Sequence, residues 1–229
     1  MTAAVVILAA GSGSRVGAEV NKVLLPLDGL PVLAHSVRTV LTVPGLDPVV
    51  VVCRPGEESE VGTALTPHLG ARDVLLVPGG TTRHGSEQAA LAVLTPRIEQ
   101  GEVDVVVIHD GARALAPAGL FEQVVDTARE AGGAVPTVEL AGLLTRDPTA
   151  APPRGRLVGV QTPQAFRAAP LLDAYRAAAR DGFDGTDTAA CLERYQPELA
   201  IRAVPAGPAN LKVTYPEDLE AASRLSSAG

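Results

Sequence analysis

Four short, almost wholly aliphatic runs punctuate the first half of the chain: Ala3–Leu8, Pro48–Cys53, Asp73–Val77 and Val103–Ile108. Each has the length of a strand, and none alternates apolar with polar residues. A strand that is apolar at successive positions must be covered on both faces, as in a parallel sheet between two helix layers. Helical spacing fills the gaps: Val32, Leu33, Val37, Val40 and Leu41 recur on one face, as do Ala89, Ala90, Val93 and Leu94. Strand and helix in alternation predict a Rossmann-like, doubly wound α/β fold, its sheet mostly parallel and its crossovers right-handed.

Further along, Pro117–Ala131 reads as a helix, Ala134–Val138 as a strand, Ala168–Arg180 as a helix and Leu199–Val204 as a late strand. Between Glu139 and Val158 the pattern fails. The stretch 146–156, RDPTAAPPRGR, carries three prolines and four charges, so 139–158 is expected to protrude as a loop or arm. Thr214-Tyr-Pro-Glu217 offers a Thr cap, a first-turn Pro and a Glu three residues on, the pattern of a capping box opening the last helix. No repeat or linker divides the 229 residues, so one domain is expected across 1–229.

Composition narrows the function. Aromatic residues are 3% of the chain, with no Trp, so the core must come from Ala, Val and Leu, and so few rings argue against a base-stacking platform. The net charge of −7 argues against non-specific DNA binding, which needs a broad basic surface. Two cysteines, Cys53 and Cys191, cannot make a disulfide scaffold or a four-cysteine zinc site. The start, MTAAVVILAAG, lacks the basic lead of a signal peptide and reads as a first strand. No run reaches the roughly 18 apolar residues of a membrane span. A cytoplasmic protein is expected. Seventeen of the 19 basic residues are Arg; only Lys22 and Lys212 are Lys. Positions that stay Lys in such a chain suit a compact, movable ammonium, although chance survival of two surface lysines reads equally well at this point.

In doubly wound sheets ligands bind beyond the carboxyl ends of the strands. After the first strand comes Ala9-Ala-Gly-Ser-Gly-Ser-Arg15-Val16-Gly17, a glycine turn whose N–H groups could wrap phosphate, followed by Lys22. It is not the dinucleotide fingerprint: Val16 stands at the third Gly, and Val52-Cys-Arg54 supplies no acidic ribose ligand. The P-loop ending in Gly-Lys-Ser/Thr is absent as well. After the third strand comes Pro78-Gly-Gly-Thr-Thr-Arg-His-Gly-Ser86, small enough to admit a flat base, or else a plain strand-to-helix connection. After the fourth comes His109-Asp-Gly-Ala-Arg113, where Asp110 could hold Mg²⁺ or a ribose, or simply pair with Arg113. The four His lack metal-ligand spacing, Gly-x-Ser-x-Gly is missing, and Cys53 ends an apolar strand, which leaves it inert.

In this order and spacing the segments resemble the 2-C-methyl-D-erythritol 4-phosphate cytidylyltransferases along almost the whole chain. The resemblance rests on Leu8–Arg15 with Lys22, Gly79-Gly80 with Arg83 and Ser86, His109–Arg113, Thr162-Pro-Gln164, Thr186-Asp187, and Asn210-Leu-Lys-Val-Thr214 before Pro-Glu-Asp-Leu219. It implies transfer of CMP from CTP to a polyol phosphate, with Mg²⁺ as cofactor. Ala10, Gly11 and Gly13 would hold the CTP phosphates, Arg15 and Lys22 would stabilise charge on the α-phosphate, and Gly80, Thr81 and Ser86 would read cytosine. Asp110 would lie near ribose and Mg²⁺. Arg113, Arg154, Thr186 and Lys212 would grip the acceptor phosphate, with Thr162 also in the substrate-binding set. Residues 139–158 would be the arm of a homodimer.

Four places depart from the family's usual pattern. Asn21 and Ala114 replace prolines, Thr188 stands where Glu usually follows Thr-Asp, and Glu139-Leu140 stands where Asp-Thr is usual. Leu140 cannot donate a hydrogen bond, so the departures fall on the acceptor half. Two other readings therefore stay beside the methylerythritol phosphate enzyme: a cytidylyltransferase for another polyol phosphate such as ribitol 5-phosphate, and an inactive nucleotide-binding sensor. Retention of Arg15, Lys22 and Lys212 weighs against the sensor.

Overall fold

The structure, a computed structural model, describes residues 1–11, 21–140, 157–207 and 209–227. In chain order it comprises β1 (Thr2–Leu8), β2 (Pro26–Leu27), β3 (Leu30–Pro31), α1 (Val32–Thr42), β4 (Leu46–Cys53), α2 (Glu58–Leu65), β5 (Leu75–Pro78), α3 (Arg83–Glu99) and β6 (Val103–Asp110). There follow α4 (Ala118–Ala131), β7 (Gly132–Glu139), β8 (Val158–Val160), β9 (Gln164–Arg167), α5 (Ala168–Asp181), α6 (Thr188–Tyr195), β10 (Ala200–Pro205) and α7 (Pro216–Ser227).

The main sheet runs β10-β7-β9-β6-β1-β4-β5, with β8 paired to the outer part of β7. β6, β1, β4 and β5 are parallel neighbours, as are β10 and β7; β9 is antiparallel to both β6 and β7. The expected mostly parallel, doubly wound sheet is what forms.

The aliphatic runs are explained by two-sided burial. In β1, Ala3, Val5 and Ile7 face the layer of α1, α2 and α4, while Ala4 and Val6 face the layer of α3, α5 and α6. In β4, Val49, Val51 and Cys53 alternate with Val50 and Val52 in the same way. Each run is apolar throughout because neither face meets water.

Several expectations need correction. Val93 lies on the solvent side of α3 (45% exposed), whose buried stripe is Ala90, Leu91, Leu94 and Ile98. The last helix starts at Pro216, and its first turn is closed by Asp218, not Glu217: Asp218 Oδ2 accepts from the backbone N–H of Thr214 (2.7 Å) and of Tyr215 (2.8 Å). α2, α6 and β9 were not legible, since each is short and buries few apolar side chains; α2 buries only Val61 and Leu65.

The anticipated arm is described only at its stems. Glu139 pairs with Val158, and the Leu140 N–H donates to the Leu157 carbonyl at 3.2 Å. Residues 141–156, Arg154 among them, lie outside the described residues. The stems carry an exposed apolar surface of Val138, Leu140, Leu157, Val158 and Val160.

Candidate active site

The carboxyl ends of β1, β5 and β6 open into a cavity of about 510 Å³. Its floor is the turn after β1, with Leu8, Ala10 and Gly11; one wall is Gly80–Arg83 with Ser86, and the other is Asp110 with Ala112. Lys22 and Lys212 close the rim, so the only two lysines in the sequence face the same space.

The base of the cavity is tied by backbone hydrogen bonds between strand ends. The Ala9 N–H donates to the Val52 carbonyl, the Gly79 N–H to the Cys53 carbonyl and the Gly111 N–H to the Leu8 carbonyl, at 2.7, 2.8 and 2.9 Å. At Gly79 a Cβ would sit 2.8 Å from Ser86 Oγ and 2.9 Å from Ala10 Cβ; at Gly80 it would meet the Gly85 backbone at 2.8 Å. Only glycine lets the two turns approach so closely.

Thr82 caps α3, its Oγ1 accepting from the Gly85 N–H at 3.0 Å. Ser86 Oγ donates to the Thr82 carbonyl (2.9 Å) and accepts from the Gly80 N–H (3.2 Å). The hydroxyl expected to read a base thus also fixes the shape of the wall, and the capped N-terminus of α3 favours negative charge beside it.

Asp110 is the electrostatic centre. Its side chain is 9% exposed; Oδ1 lies 2.5 Å from Arg83 Nη1, Oδ2 lies 2.7 Å from Lys212 Nζ, and Arg113 Nε is 3.9 Å from Oδ2. Burial alone would push this carboxyl up, but Arg83 and Lys212 outweigh it and hold it well below the usual carboxylate range. Arg83 also bridges to Glu87, with Nε 2.9 Å from Oε1. Arg83 has no role in the sequence reading beyond its place in a matching segment. Its signal is the Arg83-x-x-x-Glu87 spacing that opens a helix after a Gly-Gly turn.

Lys212 is brought over the sheet by a strap tied to the β6 turn. The Val213 N–H donates to the Ala112 carbonyl (2.9 Å), and Arg113 Nη1 donates to the Asn210 carbonyl (2.7 Å). Asn210 Nδ2 donates to the Thr162 carbonyl (2.9 Å), while Thr162 Oγ1 accepts from the Asp110 N–H (2.9 Å). Arg113 and Thr162, expected among the substrate-binding residues, are buried in this scaffold and do not line the cavity. Thr186 is exposed beside the α6 cap Asp187 and does not line it either. Gly13, Arg15 and Arg154 lie outside the described residues.

The departure at Asn21 has a structural role. Asn21 Nδ2 donates to the Ala9 carbonyl (3.1 Å) and to Glu57 Oε2 (2.8 Å). Arg54 ion-pairs with Glu57 at 3.0 Å and donates through Nη2 to the Gly11 carbonyl at 2.7 Å. The side chains of Asn21, Glu57 and Arg54 thereby link the two described ends of the glycine turn after β1.

Among the described residues, no group of three or more His, Cys, Asp or Glu could hold a metal ion. Both Asp110 oxygens are engaged by cations, so Asp110 does not fit as the ligand of a resident Mg²⁺. Cys53 and Cys191 are buried; burial raises both thiols, Cys191 to about 11, which leaves them inert as nucleophiles.

A sequence profile of 2-C-methyl-D-erythritol 4-phosphate cytidylyltransferase matches residues 3–226. The enzyme of that name from Solibacter usitatus is 34% identical, over 97% of this chain and 94% of its own. The one from Streptomyces coelicolor is 39% identical, over 94% and 82%. The crystal structure of a 4-diphosphocytidyl-2C-methyl-D-erythritol synthase from Anaerococcus prevotii superposes with a TM-score of 0.83 at 25% identity, covering 99% of this chain and 96% of that one. With a lysine pair and a buried carboxylate gathered at the strand ends of the matching fold, the chain belongs to the 2-C-methyl-D-erythritol 4-phosphate cytidylyltransferase family.

Proposed function

We propose that this chain transfers CMP from CTP to 2-C-methyl-D-erythritol 4-phosphate, giving 4-diphosphocytidyl-2-C-methyl-D-erythritol and pyrophosphate in non-mevalonate isoprenoid synthesis. The observation that carries this reading is the convergence of Lys22, Arg83 and Lys212 on one cavity in a protein of net charge −7. An acceptor phosphate oxygen attacks the α-phosphorus of CTP. The new O–P bond forms as the bond to the bridging oxygen breaks, and pyrophosphate leaves with the electron pair. A phosphate monoester is already largely ionised near neutral pH, so the step asks for no strong base. The obstacle is repulsion between two anions, which preorganised cations offset.

In this reading the turn at Ala10 and Gly11 and the ammonium of Lys22 face the triphosphate. Gly80, Thr81 and Ser86 face cytosine, and Lys212 turns from Asp110 to the acceptor phosphate. Gly13, Arg15 and Arg154 keep their inferred roles from the family resemblance. The divalent cation enters with CTP, held by its phosphate oxygens as Mg–CTP. The apolar stems at Val138, Leu140 and Val160 support a homodimer formed through the 139–158 arm. No helix among the described residues is long and apolar enough to cross a membrane, and the apolar N-terminal run forms the buried strand β1.

Pyrophosphate release from CTP, measured with 2-C-methyl-D-erythritol 4-phosphate and with ribitol 5-phosphate, tests the assignment. Turnover is expected with the former. Preference for the latter selects the other polyol, and release with neither selects the sensor.

A further inference from the structure

The stripe of α3 that enters the core contains one acidic residue. Glu87 stands one turn before Ala90 and Leu91 and two turns before Leu94, and it is 1% exposed. A buried carboxylate is costly unless paired, and an apolar side chain at such a position would pack the helix at least as well. Glu87 is fully engaged. Arg83 lies 2.9 Å from Oε1, Thr188 Oγ1 donates to Oε1 at 3.1 Å, and the Tyr175 hydroxyl donates to Oε2. These partners come from α3, α6 and α5, and Tyr175 is itself held by stacking on His84 at 4.4 Å between ring centroids.

We infer that Glu87 is a positioning residue for the nucleotide half of the site: it holds Arg83 against Asp110, so that this buried carboxylate keeps a fixed counter-charge when the anionic nucleotide enters. This rests on the function proposed above. Asp110 has two close cations, Arg83 at 2.5 Å and Lys212 at 2.7 Å. Lys212 sits on the rim with 39% of its side chain exposed. Arg83 is anchored at its Nε end by a carboxylate with three partners. Without that anchor Arg83 would itself be drawn toward an incoming anion, and Asp110 would be left buried and bare, opposed to the nucleotide. Burial pushes the Glu87 carboxyl up, while Arg83 and the hydrogen bonds from Tyr175 and Thr188 favour its charged form.

The same arrangement accounts for Thr188. A carboxylate at 188 would share one buried pocket with Glu87, where two like charges cannot both ionise cheaply. A hydroxyl there donates to Glu87 instead.

Wild type, Glu87→Gln and Glu87→Gln/Thr188→Glu are compared by calorimetric binding of Mg–CTP, by KM for each substrate, and by thermal melting. Glu87→Gln is expected to melt within about 3 °C of wild type and to bind CTP about tenfold more weakly, a loss of about 1.4 kcal/mol. Its KM for the acceptor is expected to change less than about threefold. The double variant, which returns a carboxylate from α6, is expected to recover CTP affinity to within about threefold of wild type. Unchanged CTP affinity in a folded Glu87→Gln, an equal loss for both substrates, or a folded double variant as weak as the single one overturns the inference. If the double variant does not fold, the split between substrates in Glu87→Gln decides alone. Lack of turnover by wild type with every acceptor would sink the proposed reaction, whereas CTP binding by Glu87→Gln would still decide the role of Glu87.

Discussion

Lys212 Nζ lies 2.7 Å from Asp110 Oδ2 although 102 residues separate them in the chain. The contact exists because the strap after β10 is stitched to the turn after β6, and it places an ammonium at the cavity rim.

Removing that ammonium should remove catalysis and leave the fold. Lys212→Ala and Lys22→Ala are each expected to lose roughly 10²–10³ in turnover, the usual effect of deleting one preorganised charge. Pyrophosphate release measures the loss, and circular dichroism checks the fold. Near-normal turnover in either variant would strip that lysine of its role.

Asn21 ties the Ala9 carbonyl to Glu57 from a buried position. Asn21→Ala strands a carbonyl and a carboxylate oxygen, which should cost about 1–3 kcal/mol in urea unfolding. Because the same clamp sets the stems of the glycine turn that the proposed function assigns to the triphosphate, KM for CTP should rise more than KM for the acceptor. A fully stable variant with normal KM would show the clamp to be idle.

His109 is wholly buried against Phe121, and burial lowers its imidazole from 6.5 to about 4. Between those values the folded state binds fewer protons than the unfolded one, so stability falls as pH drops through that window and is unaffected above it. At about 1.36 kcal/mol per pH unit the full window amounts to about 3 kcal/mol. His109→Gln should therefore lose less stability than wild type between pH 7.5 and 4.5, by about 2 kcal/mol. Parallel pH profiles for the two proteins would refute the assignment.

Leu140 is 45% exposed at the arm's stem, beside Val138 and Val160. Leu140→Asp is expected to turn a dimer at micromolar concentration into a monomer in sedimentation velocity, because a charge in an apolar contact is left unpaired. A wild-type monomer under the same conditions would contradict the arm's proposed role.

Chelation separates a resident metal from one that arrives with CTP. EDTA should abolish turnover yet leave the Tm of the nucleotide-free protein unchanged, since both Asp110 oxygens are paired with cations. A clear drop in that Tm would reveal a protein-held ion.

The layered sheet was legible because two-sided burial writes itself into the chain as unbroken aliphatic strands; β1, β4 and β6 formed where Ala3–Leu8, Pro48–Cys53 and Val103–Ile108 predicted them. The site segments were legible for a related reason. Glycines at Gly79 and Gly80, and lysines in a chain that otherwise uses Arg, are choices a generic surface does not require. What the chain by itself could not determine was which partner each polar side chain would meet. Arg113 and Thr162 are tied into the scaffold beneath Lys212, and Arg54 and Asn21 link the stems of the glycine turn after β1, contacts that no local pattern announces. Helix spacing announces the pairing of Glu87 with Arg83, but not its contacts with Tyr175 and Thr188 on other helices. The longest of these contacts, between Glu87 and Thr188, spans 101 residues. Periodicity reports which face of an element is buried, whereas the pairing of charges at long range is decided only when the elements pack.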